Sequence, residues 1–133
     1  MEQRIINPWQ WQDQFGFVQA HEISGGQRLL YCAGQASVDA DGRPVHQGDM
    51  RAQITQALDN LATVLAAAGL SLANVVRLNY YTTDVEQLFA HWDVVMNRLT
   101  QAGCRPGSTL LGVSRLALPE LLSRLKRRQS SSL

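Results

Sequence analysis

Apolar residues at Ile54, Ala57, Leu58, Leu61, Val64, Leu65 and Ala68 recur at helical offsets, so one amphipathic helix is predicted here. Asp49 stands ahead of the stripe as an N-cap, and Gly69 follows it where a C-terminal cap belongs. The same offsets return at Val85, Leu88, Phe89, Trp92, Val95, Met96 and Leu99, with Thr83 and Glu86 forming a capping-box pattern and Gly103 as the stop. Four segments have strand character instead. They are 17–23, 28–33, 75–82 and 108–116, rich in β-branched, aromatic or alternating residues. Ser24-Gly25-Gly26 is a turn signal that joins the first two as a hairpin, and Asp41-Gly42 with Arg43-Pro44 mark the loop from 34 to 48. Residues 1–16 read as an irregular lead-in, with Trp9 and Trp11 as staples onto the core.

The predicted order is strand–strand–helix–strand–helix–strand, an α+β fold with two one-sided helices on one face of a mixed sheet. Strand 75–82 alternates Val76, Leu78 and Tyr80 with Val75, Arg77, Asn79 and Tyr81. Its second face is therefore semi-polar, which suits a subunit interface better than open water. With 133 residues, 45% hydrophobic and 17% charged, the chain makes one domain and is short enough for partner copies to finish its core.

Charge changes that picture only at the C-terminal end. The formal net charge is +1, from 12 basic and 11 acidic residues. Arg124, Lys126, Arg127 and Arg128 lie together; without them 8 basic residues face 11 acidic ones. The body is mildly acidic and the positive charge belongs to a serine-ended tail without interleaved aromatics, which argues against nucleic acid as a partner. Cys32 and Cys104 have no paired spacing, and His21, His46 and His91 have no metal-ligand spacing. No phosphate-binding glycine loop is present. There is no signal-peptide h-region and no apolar run near the length of a membrane span, so the expected location is the cytoplasm. Arg105, in a Gly/Pro loop before a strand, is placed to grip a carboxylate in a cleft, or equally to face solvent.

Tyr31-Cys32-Ala33-Gly34-Gln35, Asp41-Gly42, Gln53 with Ala57-Leu58-Asp59-Asn60-Leu61, and Ala67-Ala68-Gly69 form an ordered series. Asn74-Val75-Val76, Thr83-Asp84, Phe89-Ala90 and Val113-Ser114-Arg115-Leu116 continue it. Together, from about residue 17 to 120, they resemble the RidA (YjgF-type) family. The resemblance implies a chorismate-mutase-like α+β fold and a homotrimer with ligand sites in the clefts between subunits. It also implies hydrolysis of reactive 2-imino or enamino acids to 2-oxo acids and ammonia, without a cofactor; the alternative is a metabolite-binding member without catalysis. The implied ligand is a small carboxylate or imine metabolite.

Carried over by position, the family's substrate-contacting residues fall on Phe17, Ala33, Gly34, Gln35, Ser108 and Thr109, and its second-helix asparagine falls on Asp93. Phe17 has lost a hydroxyl, Asp93 has gained a charge, and Ser108 stands where the family has its substrate-gripping arginine. Arg105, three residues earlier, is the alternative anchor. Arg105 and Asp93 are accordingly the expected catalytic pair. The likeness stops after Glu120, giving a domain over 1–120 and a divergent basic tail over 121–133.

Overall fold

The computed structural model describes residues 2–15, 17–25 and 28–131, with side chains described through residue 123 apart from residue 15. Seven strands make one mixed sheet: β1 (Glu2–Ile6), β2 (Ala20–Ser24), β3 (Arg28–Cys32), β4 (Gln35–Ala36), β5 (Val75–Thr82), β6 (Gly107–Gly112) and β7 (Ser123–Ser131). Among the described residues three α-helices accompany it: α1 (Met50–Ala67), α2 (Val85–Ala90) and α3 (Trp92–Ala102). The strand order is β1-β2-β3-β7-β5-β6, with β4 paired to β7 off that path. Among the described residues only β5 and β6 pair in parallel, and α2 with α3 supplies the crossover that a parallel pair requires.

Helix α1 follows the predicted stripe. Asp49 Oδ1 accepts from the Ala52 N–H at 3.0 Å, and Gly69 at φ +76° turns the chain out of the helix. The stripe residues are buried against Leu30, Cys32, Val75, Leu78 and Tyr80 of the sheet, and Leu88, Val95 and Leu99 complete the same core. Each of these large side chains adds about 1.5–3 kcal/mol of burial.

Four features depart from the sequence expectation. The segment read as a tail contains β7, which sits between β3 and β5 and pairs with both. Its polar composition hides that position, because pairing is carried by the backbone. The lead-in contains β1, antiparallel to β2. The second helix is two, broken at His91, whose φ of −116° and ψ of 21° leave the helical region. Asp84 rather than Thr83 caps α2, its side chain accepting from the Gln87 N–H at 3.0 Å. The hairpin joins β2 to β3 as expected; Gly26 of its turn and the last two residues of the chain lie outside the described residues.

Strand β5 also faces differently from a plain alternation. Register shifts flank Arg77, so Val75 is buried while Val76 is 36% exposed. A bulge of this kind turns one residue out of phase. Beyond it Leu78, Tyr80 and Thr82 are buried among helix and core residues. Arg77, Asn79 and Tyr81 line a shallow concavity with Thr109 and Leu111 on the face that the helices leave uncovered.

Gln53 anchors the chain that leads into β7. Buried in α1, its Nε2 donates to the carbonyls of His46 and Glu120, each at 3.0 Å, and its Oε1 accepts from the Leu122 N–H at 2.7 Å. This one amide fixes residues 120–122 against the helix.

Candidate functional site

The loop 103–106 joins α3 to β6, and its path is set by Gly103, which ends the helix at φ +68°. The chain then turns into β6 beside Tyr80. A groove of about 530 Å³ opens there, with Tyr80, Trp92, Met96, Leu99, Arg105 and Ser108 on its lining. Trp92 meets Tyr80 edge to face with ring centroids 5.0 Å apart, and Phe89 meets Trp92 at 6.3 Å. Tyr80 is 2% exposed. Burial pushes its phenol well above the ordinary tyrosine range, and the neighbouring Cys104 adds to the shift. The phenol is therefore a neutral hydrogen-bonding group at physiological pH.

Arg105 is exposed, and no acidic side chain lies within ion-pair distance of it among the described residues; the recorded pairs belong to Arg4, Arg28, Arg51 and Arg98. A guanidinium at the mouth of a mostly apolar groove can take a carboxylate bidentately. Arg105 and Ser108 thus line one groove.

The other predicted residues lie elsewhere. Thr109 lines the opposite concavity, its hydroxyl oxygen accepting from Arg77 Nη2 at 2.7 Å. Asp93 is exposed and ion-paired with Arg51, Nη2 to Oδ2 at 2.6 Å, and it is absent from the groove lining. The hydrogen bond from Arg51 holds the Asp93 carboxyl below its ordinary range; desolvation opposes it, and the charge of Arg51 adds to the lowering.

Ala33 and Gln35, with Gly34 between them in the chain, form a second group bonded to Gln19, and Phe17 stands two residues before Gln19 in sequence. The Ala33 N–H donates to the Gln19 carbonyl at 2.7 Å. Gln35 is 3% exposed, and its Nε2 donates to Gln19 Oε1 at 2.9 Å and to the Ala33 carbonyl at 3.2 Å. Gln19 Nε2 passes the chain on to Gln12 Oε1 at 3.2 Å, and Gln12 Nε2 to the Trp9 carbonyl at 3.0 Å. Gln35 is thus engaged in a buried amide ladder that sets the 33–35 loop. Phe17, 40% exposed, packs edge to face on Trp11 at 5.7 Å. Sequence reading had no sign of the ladder, since Gln12, Gln19 and Gln35 are separated in sequence and polar by type.

The two groups belong to different parts of the sheet. Loop 33–34 follows β3, whereas Arg105 and Ser108 belong to the start of β6, three strand spacings away in the order β3-β7-β5-β6, or roughly 14 Å. Among the described residues no cluster of three His, Cys, Asp or Glu side chains could hold a metal ion, and no helix is long and apolar enough to cross a membrane.

Residues 14–122 match the family model described as Endoribonuclease L-PSP. The chain belongs to this family, the RidA/YjgF group. RutC family protein YjgH of Escherichia coli K12 is similar at 35% identity over 89 residues, 67% of this chain and 66% of that protein. Protein DfrA of Myxococcus xanthus is 33% identical over 100 residues, 75% of this chain and 74% of that protein. The solved structure of YjgH matches with a TM-score of 0.81 and 28% identity, covering 98% of this chain and 97% of that one. E. coli TdcF, solved with bound serine, matches at a TM-score of 0.71 and 19% identity over 88% and 87% of the two chains. That last likeness is one of fold alone. The RidA/YjgF membership and α+β fold expected from the sequence motifs are thus borne out.

Proposed function

We propose that the chain hydrolyses small 2-imino or enamino acids to 2-oxo acids, with Arg105 as the carboxylate anchor. The observation that carries this reading is the pairing of an ion-pair-free Arg105 with Ser108 on one largely apolar groove. A single cation with apolar walls suits a small organic acid better than a nucleic-acid backbone, which calls for several phosphate contacts. The amino acid bound to TdcF is a carboxylate ligand of similar size on a similar fold.

An imine carbon is already electrophilic, so orientation and water delivery are the protein's main tasks. Arg105 holds the carboxylate, and the Ser108 hydroxyl, on the same lining, is the group assigned to the water and the nitrogen. Water oxygen bonds to the imine carbon, the C–N bond of the adduct breaks, and ammonia leaves with both protons of the water. Asp93, engaged with Arg51, has no part in this scheme.

The separation of the Phe17/Ala33/Gly34 group from Arg105 supports a site completed between copies. Head-to-tail association would set the first group of one copy against the groove of the next, and three copies would close a ring. Exposed Tyr31, Val76 and Leu111 supply apolar surface for such an assembly. The test generates 2-iminopropionate and 2-iminobutyrate with an amino-acid oxidase and follows 2-oxo acid release, alongside light scattering. Faster release by a species near 44 kDa, three chains of 14.7 kDa, supports the reading. No acceleration by a species of that mass would leave binding without catalysis. A monomer would defeat the shared-site scheme.

A further inference from the structure

The walls of the groove say more about the ligand than its one cation does. Arg105 is the charged side chain on a lining where Trp92, Met96 and Leu99 of α3 meet Tyr80, alongside the polar Thr100, Cys104 and Ser108. Ring contacts on two sides hold Trp92, from Tyr80 at 5.0 Å and Phe89 at 6.3 Å. Met96 is nevertheless 48% exposed and Phe89 54% exposed. Met96, open on the lining itself, is left for the apolar part of a ligand to cover, whichever residues of a neighbouring copy close the far side.

Size points the same way. A groove of 530 Å³ lies within the roughly 300–1,000 Å³ of sites that enclose drug-sized ligands, far more than a three-carbon acid fills. Resting on the assignment of Arg105 as carboxylate anchor, we infer that the groove selects acids with a large apolar side chain, aromatic above all. Trp92 and Met96 are then its specificity-determining residues. A fixed indole edge and face receive a ring in offset or edge-on contact. The flexible thioether of Met96 adjusts to rings and branched chains alike.

The test titrates phenylpyruvate and pyruvate, stable 2-oxo acids of the expected product class, into the full-length protein by calorimetry. Phenylpyruvate should bind roughly tenfold tighter or more, the worth of burying one aromatic ring. Met96→Glu, at a half-exposed position that tolerates the change in folding, should pull that ratio towards one, and Met96→Leu should restore it. Arg105→Ala should weaken both acids together. Equal affinity for the two acids in the wild type, with both lost in Arg105→Ala, would overturn the selectivity and keep the anchor. A ratio unmoved by Met96→Glu would remove Met96 from the account. If neither acid binds, the anchor and the selectivity fall together.

Discussion

Arg51 donates to both carboxylate oxygens of Asp93, from Nη2 at 2.6 Å and Nη1 at 3.1 Å, and so ties the first turn of α1 to the first turn of α3. Arg98 and Asp59 make a second bridge between the same helices at 2.8 Å. Asp93, expected from the family pattern to act in catalysis, is a surface tie between helices.

That pair gives a pH prediction with a defined sign. Arg51 lowers the folded pKa of Asp93, so the pair's contribution is complete above the carboxyl's unfolded pKa. It is lost as pH falls through the folded value. Urea melts of wild type and Asp93→Asn should differ slightly at neutral pH, and the difference should shrink towards nothing in acid. High salt should shrink it too, because both groups are at the surface. A difference that grows on acidification would contradict this.

The amide ladder predicts a larger effect from a neutral residue. Gln19→Ala removes two buried side-chain hydrogen bonds and leaves Gln12 Oε1 without its donor. A loss of about 2–4 kcal/mol in urea unfolding follows. Amide exchange should quicken across residues 33–35, which the ladder holds. An effect within the scatter of surface substitutions would show that the ladder carries little.

Gly42 is fixed by two separate constraints. Its φ is +80°, and a Cβ placed on it would stand 2.6 Å from Trp11 Cδ2. Gly42→Ala should cost about 2 kcal/mol or more in thermal or urea unfolding. Adding Trp11→Ala relieves the steric part only, so the double-mutant cycle should show a coupling of opposite sign to simple additivity. Additive losses would mean that Trp11 does not rest on this turn.

The sequence made some elements legible and concealed others for physical reasons. Helix α1 was readable because its burial pattern and both caps agree, and β5 because eight residues of strand character end at a helix cap. The break at His91 was invisible, since α2 and α3 keep nearly the same phase across it. Strand β7 was concealed by side chains that read as a solvated tail, although its backbone pairs with β3, β4 and β5. At the site, Arg105 and Ser108 were close in sequence and stayed close in space. Asp93 could not be placed without Arg51, 42 residues earlier, nor Gln35 without Gln19.

The coupled imine assay with Arg105→Ala and Asp93→Asn side by side tests the central claim most directly. The account predicts that Arg105→Ala loses the acceleration of 2-oxo acid release while its melting temperature and assembly stay unchanged. Asp93→Asn should keep the acceleration. Full activity in Arg105→Ala, or loss confined to Asp93→Asn, would contradict the account and return the chemistry to the second helix.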